Sequence, residues 1–200
     1  MQQRSEETRT RILEAANRLF SQAGYENTSV AEICQEAGVS KGALYHHFPT
    51  KQAVFLALLD AWLAGLDAGF LIARQQTQDV PSAILQMADL VGNVYQTAEV
   101  KPAILLEFWI HALRDPVIWQ AARAPYQRYL SYFAELIGEG TRQGSLQPVD
   151  EPLAARVLTS LAVGLLMQSL FGAQDVNWQH ESRQSIQLLM DGLLPRRETQ

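Results

Sequence analysis

The sequence predicts an all-α chain of nine helices in two domains, and three observations carry that prediction. Apolar residues recur at helical intervals along most of the chain, and no stretch alternates convincingly with period two. Glycine and proline punctuate the pattern at Gly24, Gly38, Pro49, Pro81, Pro102, Pro116, Gly144 and Pro152, where helices can stop or start. Between Ser29 and Phe48 the spacing tightens into two short helices joined by a glycine-containing turn of about three residues.

The elements follow in order. A first helix spans about Glu7 to Gln22, with Ile12, Ala16, Leu19 and Phe20 as its apolar stripe and Gly24 as its stop. Ser29 and Glu32 have capping-box spacing, so a second helix begins at Val30 and runs to Ala37, with Val30, Ile33 and Ala37 facing one way. After the Gly38-Val39 turn, Ser40 can cap a very short third helix, Lys41 to His47, ended by Pro49. Thr50 can cap a long fourth, Lys51 to about Arg74, faced by Phe55, Leu58, Leu59, Trp62 and Leu66. Pro81 and Pro102 open the fifth and sixth; Asp115-Pro116 opens a seventh that runs to about Gln143. Pro125 lies inside the seventh and is expected to kink or break it. The eighth runs from Glu151 to about Gly172 and the ninth from Trp178 to Leu194.

Composition narrows the function. The apolar share is 48%, enough for a sizeable core, and the net charge is −5, which alone argues mildly against a polyanion partner. Residues 1–51, however, are neutral, so the deficit sits entirely in residues 52–200 and any polyanion site belongs in the first fifty or so. The single cysteine, Cys34, excludes an internal disulfide and suits a reducing, cytoplasmic setting. The polar start, MQQRSEETRTR, does not read as a signal peptide, and the most apolar run, Val157 to Gly172, is interrupted by Thr159, Ser160, Gln168 and Ser169 and reads as a buried helix.

The two short helices form a helix-turn-helix, whose second member lies in the major groove of DNA. Leu44 and Phe48, four residues apart, anchor that helix, which leaves Lys41, Gly42, Tyr45 and His46 mostly on the other side. Gly42 lets backbone approach a duplex closely. Tyr45 can meet a phosphate or a thymine methyl. Free N–H groups near Thr28 and Ser29, and again at Lys51, favour phosphate. Adjacent His46 and His47 diverge by about 100° and make a poor chelate, so no metal is expected.

Residues 8–59, TRTRILEAANRLFSQAGYENTSVAEICQEAGVSKGALYHHFPTKQAVFLALL, resemble the DNA-binding domain of the tetracycline-repressor (TetR) family. The likeness rests on Leu19-Phe20, Gly24-Tyr25, Thr28-Ser29-Val30, Ile33, Ala37 to Ser40, Gly42, Leu44-Tyr45, His47-Phe48 and Lys51. The family usually carries a second aromatic where this chain has His46. The resemblance implies phosphate contacts by Thr28, Lys41, Tyr45, His47 and Lys51, and base contacts from the segment Val39, Ser40, Lys41, Gly42, Ala43 and Tyr45. It further implies a homodimer on a near-palindromic operator, with repression relieved by a small-molecule ligand. On this reading residues 1–51 are the DNA-binding domain and 52–200 the ligand-binding and dimerisation domain.

No specific motif marks residues 52–200. The eighth helix is apolar nearly all round and so needs cover on every side, which points to a partner subunit across Leu153, Val157, Leu161 and Leu165, joined by Ile186, Leu189, Met190 and Leu193 of the ninth. Aromatics concentrate in helices five to seven with polar groups interspersed, the usual lining of a small-molecule pocket. Candidate lining residues are Asn93, Glu107, Phe108, His111, Trp119, Tyr126, Tyr129, Phe133 and Met167, suiting an apolar or aromatic ligand. Glu107 and His111, four apart on one helix face, could hold a polar ligand group or simply pair with each other. The fourth helix, with Trp62 on its face, is the expected lever between ligand and DNA. No nucleophile–base–orienter arrangement appears, so neither catalysis nor a cofactor is expected.

Overall fold

A computed structural model describes residues 2–92, 102–171 and 176–194. Among these residues the elements are α1 (Gln2–Ala23), α2 (Val30–Ala37), α3 (Lys41–His47), α4 (Lys51–Gln76), α5 (Val80–Gly92), α6 (Pro102–Ala112), α7 (Pro116–Gln143), α8 (Glu151–Phe171) and α9 (Trp178–Leu193), with no strand. α2 and α3 match their expected limits because their ends are chemically marked. Ser29 accepts from the Glu32 N–H while Glu32 accepts from the Ser29 N–H, closing the capping box. Gly38, left-handed at φ 63°, ends α2, and Val39 N–H donates to the Cys34 carbonyl. The Ser40 hydroxyl then accepts from the Ala43 N–H to start α3.

α7 continues through Pro125, so of the expected kink or break there is no break. The ring removes one N–H, the donor that would reach Ala121, and the turns on either side keep theirs.

The chain forms two compact units, one from residues 1–64 and 98–121, the other from 65–97 and 122–200. Packing therefore does not follow the functional division expected at Lys51. The start of α4 and all of α6 go with the helix-turn-helix, and both α4 and α7 run through both units.

In the first unit, α1 contributes Ile12, Ala16 and Phe20, α2 Ile33 and Ala37, α3 Leu44, and α4 Val54 and Phe55, all buried. Phe20, Tyr25 and Phe55 meet ring to ring, with centroids 4.7 to 5.7 Å apart. In the second unit, Phe70 and Ala73 of α4 join Ile84 and Met87 of α5, Leu136 and Ile137 of α7, Ala155 and Leu158 of α8, and Ile186 and Met190 of α9. Gly140 makes that packing close: a β-carbon there would lie 2.7 Å from a methyl of Leu146. Ion pairs Arg74–Glu139 and Arg183–Asp89 tie α4 to α7 and α5 to α9.

α4 and α8 are each long and apolar enough to cross a bilayer by length and composition. Both nevertheless supply side chains to the core of the second unit. α8 is only partly covered, with Leu153 and Val157 exposed.

Candidate nucleic-acid interface

α3 is anchored from behind. Leu44 is fully buried, Phe48 nearly so, and the Arg9 guanidinium sits 5.4 Å from the Phe48 ring. The opposite face is open. Lys41, Gly42 and His46 are exposed, Tyr45 is half exposed, and Ala43 and His47 are partly covered. Gly42 has no packing reason to be glycine: the nearest atom to a β-carbon there is the Ser40 hydroxyl, 3.8 Å away. Val39 is half-buried in the turn that aims α3, while Ser29 and Ser40 spend their hydroxyls on capping.

Two expected phosphate contacts are spent inside the fold. Thr28 is 2% exposed; its hydroxyl donates to the Gly24 carbonyl at 2.8 Å and its N–H to the Tyr25 carbonyl. The side chain therefore braces the turn after α1 and does not reach outward. Lys51 folds back likewise. Its ammonium donates to the carbonyls of Tyr25 at 2.8 Å and Thr28 at 3.0 Å, and lies 4.2 Å from the Tyr25 ring centroid.

Glu107 and His111, expected beside a ligand, meet this same turn. One Glu107 oxygen accepts from the Tyr25 N–H at 2.6 Å. His111 Nε2 lies 3.2 Å from a Glu26 carboxylate oxygen, and the His111 ring meets Tyr25 edge-on at 5.1 Å. Burial, with the carboxylates of Glu26 and Asp115, pushes the Tyr25 phenol up. Asp115 caps α7 through the Val117 N–H and takes the Gln52 amide at 3.1 Å; these bonds hold its carboxyl below the usual carboxylate range.

The comparisons with known proteins agree with this geometry. The sequence profile of bacterial regulatory proteins of the tetR family matches residues 12–58. That of the C-terminal part of BetI-type transcriptional repressors matches residues 83–195. The chain belongs to the TetR family. Among curated relatives, the transcriptional regulator UidR of Escherichia coli is 24% identical over 195 residues, covering 97% of this chain and 96% of that protein. AcrR of Shigella flexneri is 27% identical over 201 residues, covering 94% and 90%. Among solved structures, a proposed regulator from Saccharomonospora viridis in complex with choline superposes with a TM-score of 0.85 at 25% identity, covering 96% of this chain and all of that one (100%). A TetR regulator from Haloarcula marismortui shares the fold with a TM-score of 0.83 at 19% identity, covering 95% and 100%. This TetR-family chain is thus a DNA-binding transcriptional regulator of a non-enzymatic family.

The remaining pocket candidates of the TetR-family chain differ in burial and in the unit they belong to. Asn93 and the Phe108 side chain lie outside the described residues. Trp119 and Tyr126 are 45% and 49% exposed. Tyr129 and Phe133 do gather round Phe70, with Tyr132 stacked on it at 6.2 Å, and Met167 is half-buried in α8. Burial and a 2.8 Å hydrogen bond to the Asp67 carboxylate push the Tyr129 phenol up to about 12. Asp67 also pairs with Arg128, at 2.8 Å.

Of the expected dimer residues, Leu165, Ile186 and Met190 are buried within this chain, while Leu161, Leu189 and Leu193 are half-buried. Leu153 and Val157 do lie on the surface, as does Leu188 of α9 at 76% exposure. Helical phase alone could not choose among the several apolar faces of α8 and α9. The contact of Glu107 with Tyr25 was not legible in the sequence, because a carboxylate on a helix does not name its partner, and this partner is 82 residues away.

Proposed function

We propose that this regulator is a homodimeric repressor, acting in the cytoplasm, that leaves a near-palindromic operator when a small ligand binds. The exposed α3 face carries the reading: Lys41, Gly42, Tyr45 and His46 stand together on a buried anchor, and nothing in the fold needs glycine at 42. Lys41, Tyr45 and His47 serve as phosphate contacts, and the segment from Val39 to Tyr45 reads base edges. Residues 1–51 carry this binding, and 52–200 carry dimerisation and ligand response.

Self-association is supported by Leu153, Val157 and Leu188, large apolar groups left exposed on α8 and α9. Gly164, with nothing within 4 Å of a β-carbon position, leaves room for a second helix to come close. A ligand of apolar or aromatic character is supported by the rings around Phe70. The choline in the Saccharomonospora viridis structure extends the class to small cations, which aromatic faces beside the Asp67 carboxylate also suit. A ligand acts only through its differential affinity for two states, and α4, which runs from Lys51 into the second unit, is the lever.

The test is selection from a random duplex pool at fixed salt, with the intact protein and with Tyr45→Ala. A two-fold symmetric site enriched by the first and lost by the second supports the reading; an asymmetric site, or equal enrichment by both, counts against it. Choline and a hydrophobic aromatic acid are then titrated into the complex to find which releases it.

A further inference from the structure

Unit one draws a single piece of chain from beyond residue 64, the stretch 98–121 that contains α6. α6 packs against α1, and its Glu107 reaches the turn between α1 and α2. Among the backbone groups of that turn are the N–H and C=O of Tyr25; the carbonyl also accepts from the Thr28 N–H within the turn, at 3.3 Å. Each is taken by a charged side chain from outside the helix-turn-helix. Glu107 accepts from the Tyr25 N–H at 2.6 Å, and Lys51 donates to the Tyr25 carbonyl at 2.8 Å. Hydrogen bonds with one ionised partner are about twice as strong as neutral ones. Gly24 belongs to the same arrangement. Its φ of 83° favours glycine, and a β-carbon there would lie 2.7 Å from the second Glu107 oxygen, so a side chain at 24 would make the carboxylate shift.

We propose that Glu107 is a positioning residue for DNA binding: it acts through the Tyr25 backbone to fix the turn from which α2, and behind it α3, takes its direction. The turn runs straight into Ser29, the N-cap of α2, and α2 packs on α3. Glu107 touches no DNA in this scheme, since a carboxylate repels phosphate. It sets where the contacting residues stand. The assignment rests on the DNA-binding reading above.

Glu107→Ala, Glu107→Asp and Glu107→Gln separate the possibilities, each assayed on the enriched duplex across a salt series beside Tyr45→Ala. Gln keeps the reach and an accepting oxygen; Asp keeps the charge but is one methylene short. Glu107→Ala and Glu107→Asp should bind about tenfold more weakly, the effect of losing one charge-assisted bond. Their slope of log K against log salt should equal that of the intact protein, because no phosphate contact is lost. Glu107→Gln should stay within about threefold of it. If Glu107→Ala does not fold, the Asp and Gln variants decide alone.

Undiminished binding by Glu107→Asp overturns the assignment. So does a Glu107→Gln as weak as Glu107→Asp, or a changed salt slope. A lower melting temperature with unchanged affinity shows a purely structural contact and also overturns it. Failure of the underlying reading looks different: Tyr45→Ala then binds as the intact protein does, whatever Glu107 is.

Discussion

α1 to α3 and α8 to α9 are both helical and both rich in leucine, isoleucine and alanine, yet they finish their surfaces differently. In α1 to α3, Ile12, Phe20, Ile33 and Leu44 point inward, and the outward face of α3 is polar except for Tyr45. In α8 and α9 the inward residues are equally well buried, but Leu153, Val157 and Leu188 remain outside. The first region is complete as one chain and offers a polar face; the second offers an apolar face. A monomer's surface normally carries scattered apolar residues, so it is their grouping on two adjacent helices that separates the regions.

The largest break in that contrast should come from Leu44→Ala. Emptying a fully buried site behind the polar face should cost about 2–5 kcal/mol, read by chemical denaturation, and DNA binding should fall with it. Lys51→Met is next. Its ammonium holds two carbonyls closely, so about 1.5–3 kcal/mol of stability should go, while the salt slope of DNA binding stays unchanged. A slope smaller by about 0.9 would instead return Lys51 to the phosphates. Ser29→Ala removes the α2 cap and should cost about 1 kcal/mol in the same assay. Leu188→Gln sharpens the other side: the chain's own stability should move by no more than about 0.5 kcal/mol, while sedimentation shifts toward monomer.

The smallest effect is on pH. Hydrogen bonds from Ser29 hold the Glu32 carboxyl below its ordinary 4.5. A depressed folded value means the cap's contribution is complete above 4.5 and is lost as pH falls through the lower folded value. Helicity of α2, followed by amide exchange, should fade there in the intact protein, and Glu32→Gln should flatten that dependence.

The parts legible in the sequence were those whose cause lies within a few residues. Ser29 with Glu32, Gly38, and Ser40 with Ala43 mark α2 and α3 by local hydrogen bonds, so their limits could be read directly. Leu44 and Phe48 gave the buried side of α3 by phase alone. What depends on distant partners could not be read. Thr28 and Lys51 are polar residues at helix starts, and only the folded chain shows that carbonyls of the preceding turn claim them. Glu107 and His111 share one face of α6 as expected, but that face meets Tyr25 and Glu26. Pro125 was read from local sterics, and the length of α7 on both sides outweighed one missing donor.

The ammonium of Lys51 lies over the Tyr25 ring, 4.2 Å from its centre. Protons held above an aromatic face are shielded by the ring's circulating electrons, so the terminal methylene of Lys51 should resonate well upfield of every solvent-exposed lysine. The chain thus carries its own magnetic reporter at the root of α2, readable without a label and in the presence of DNA or ligand.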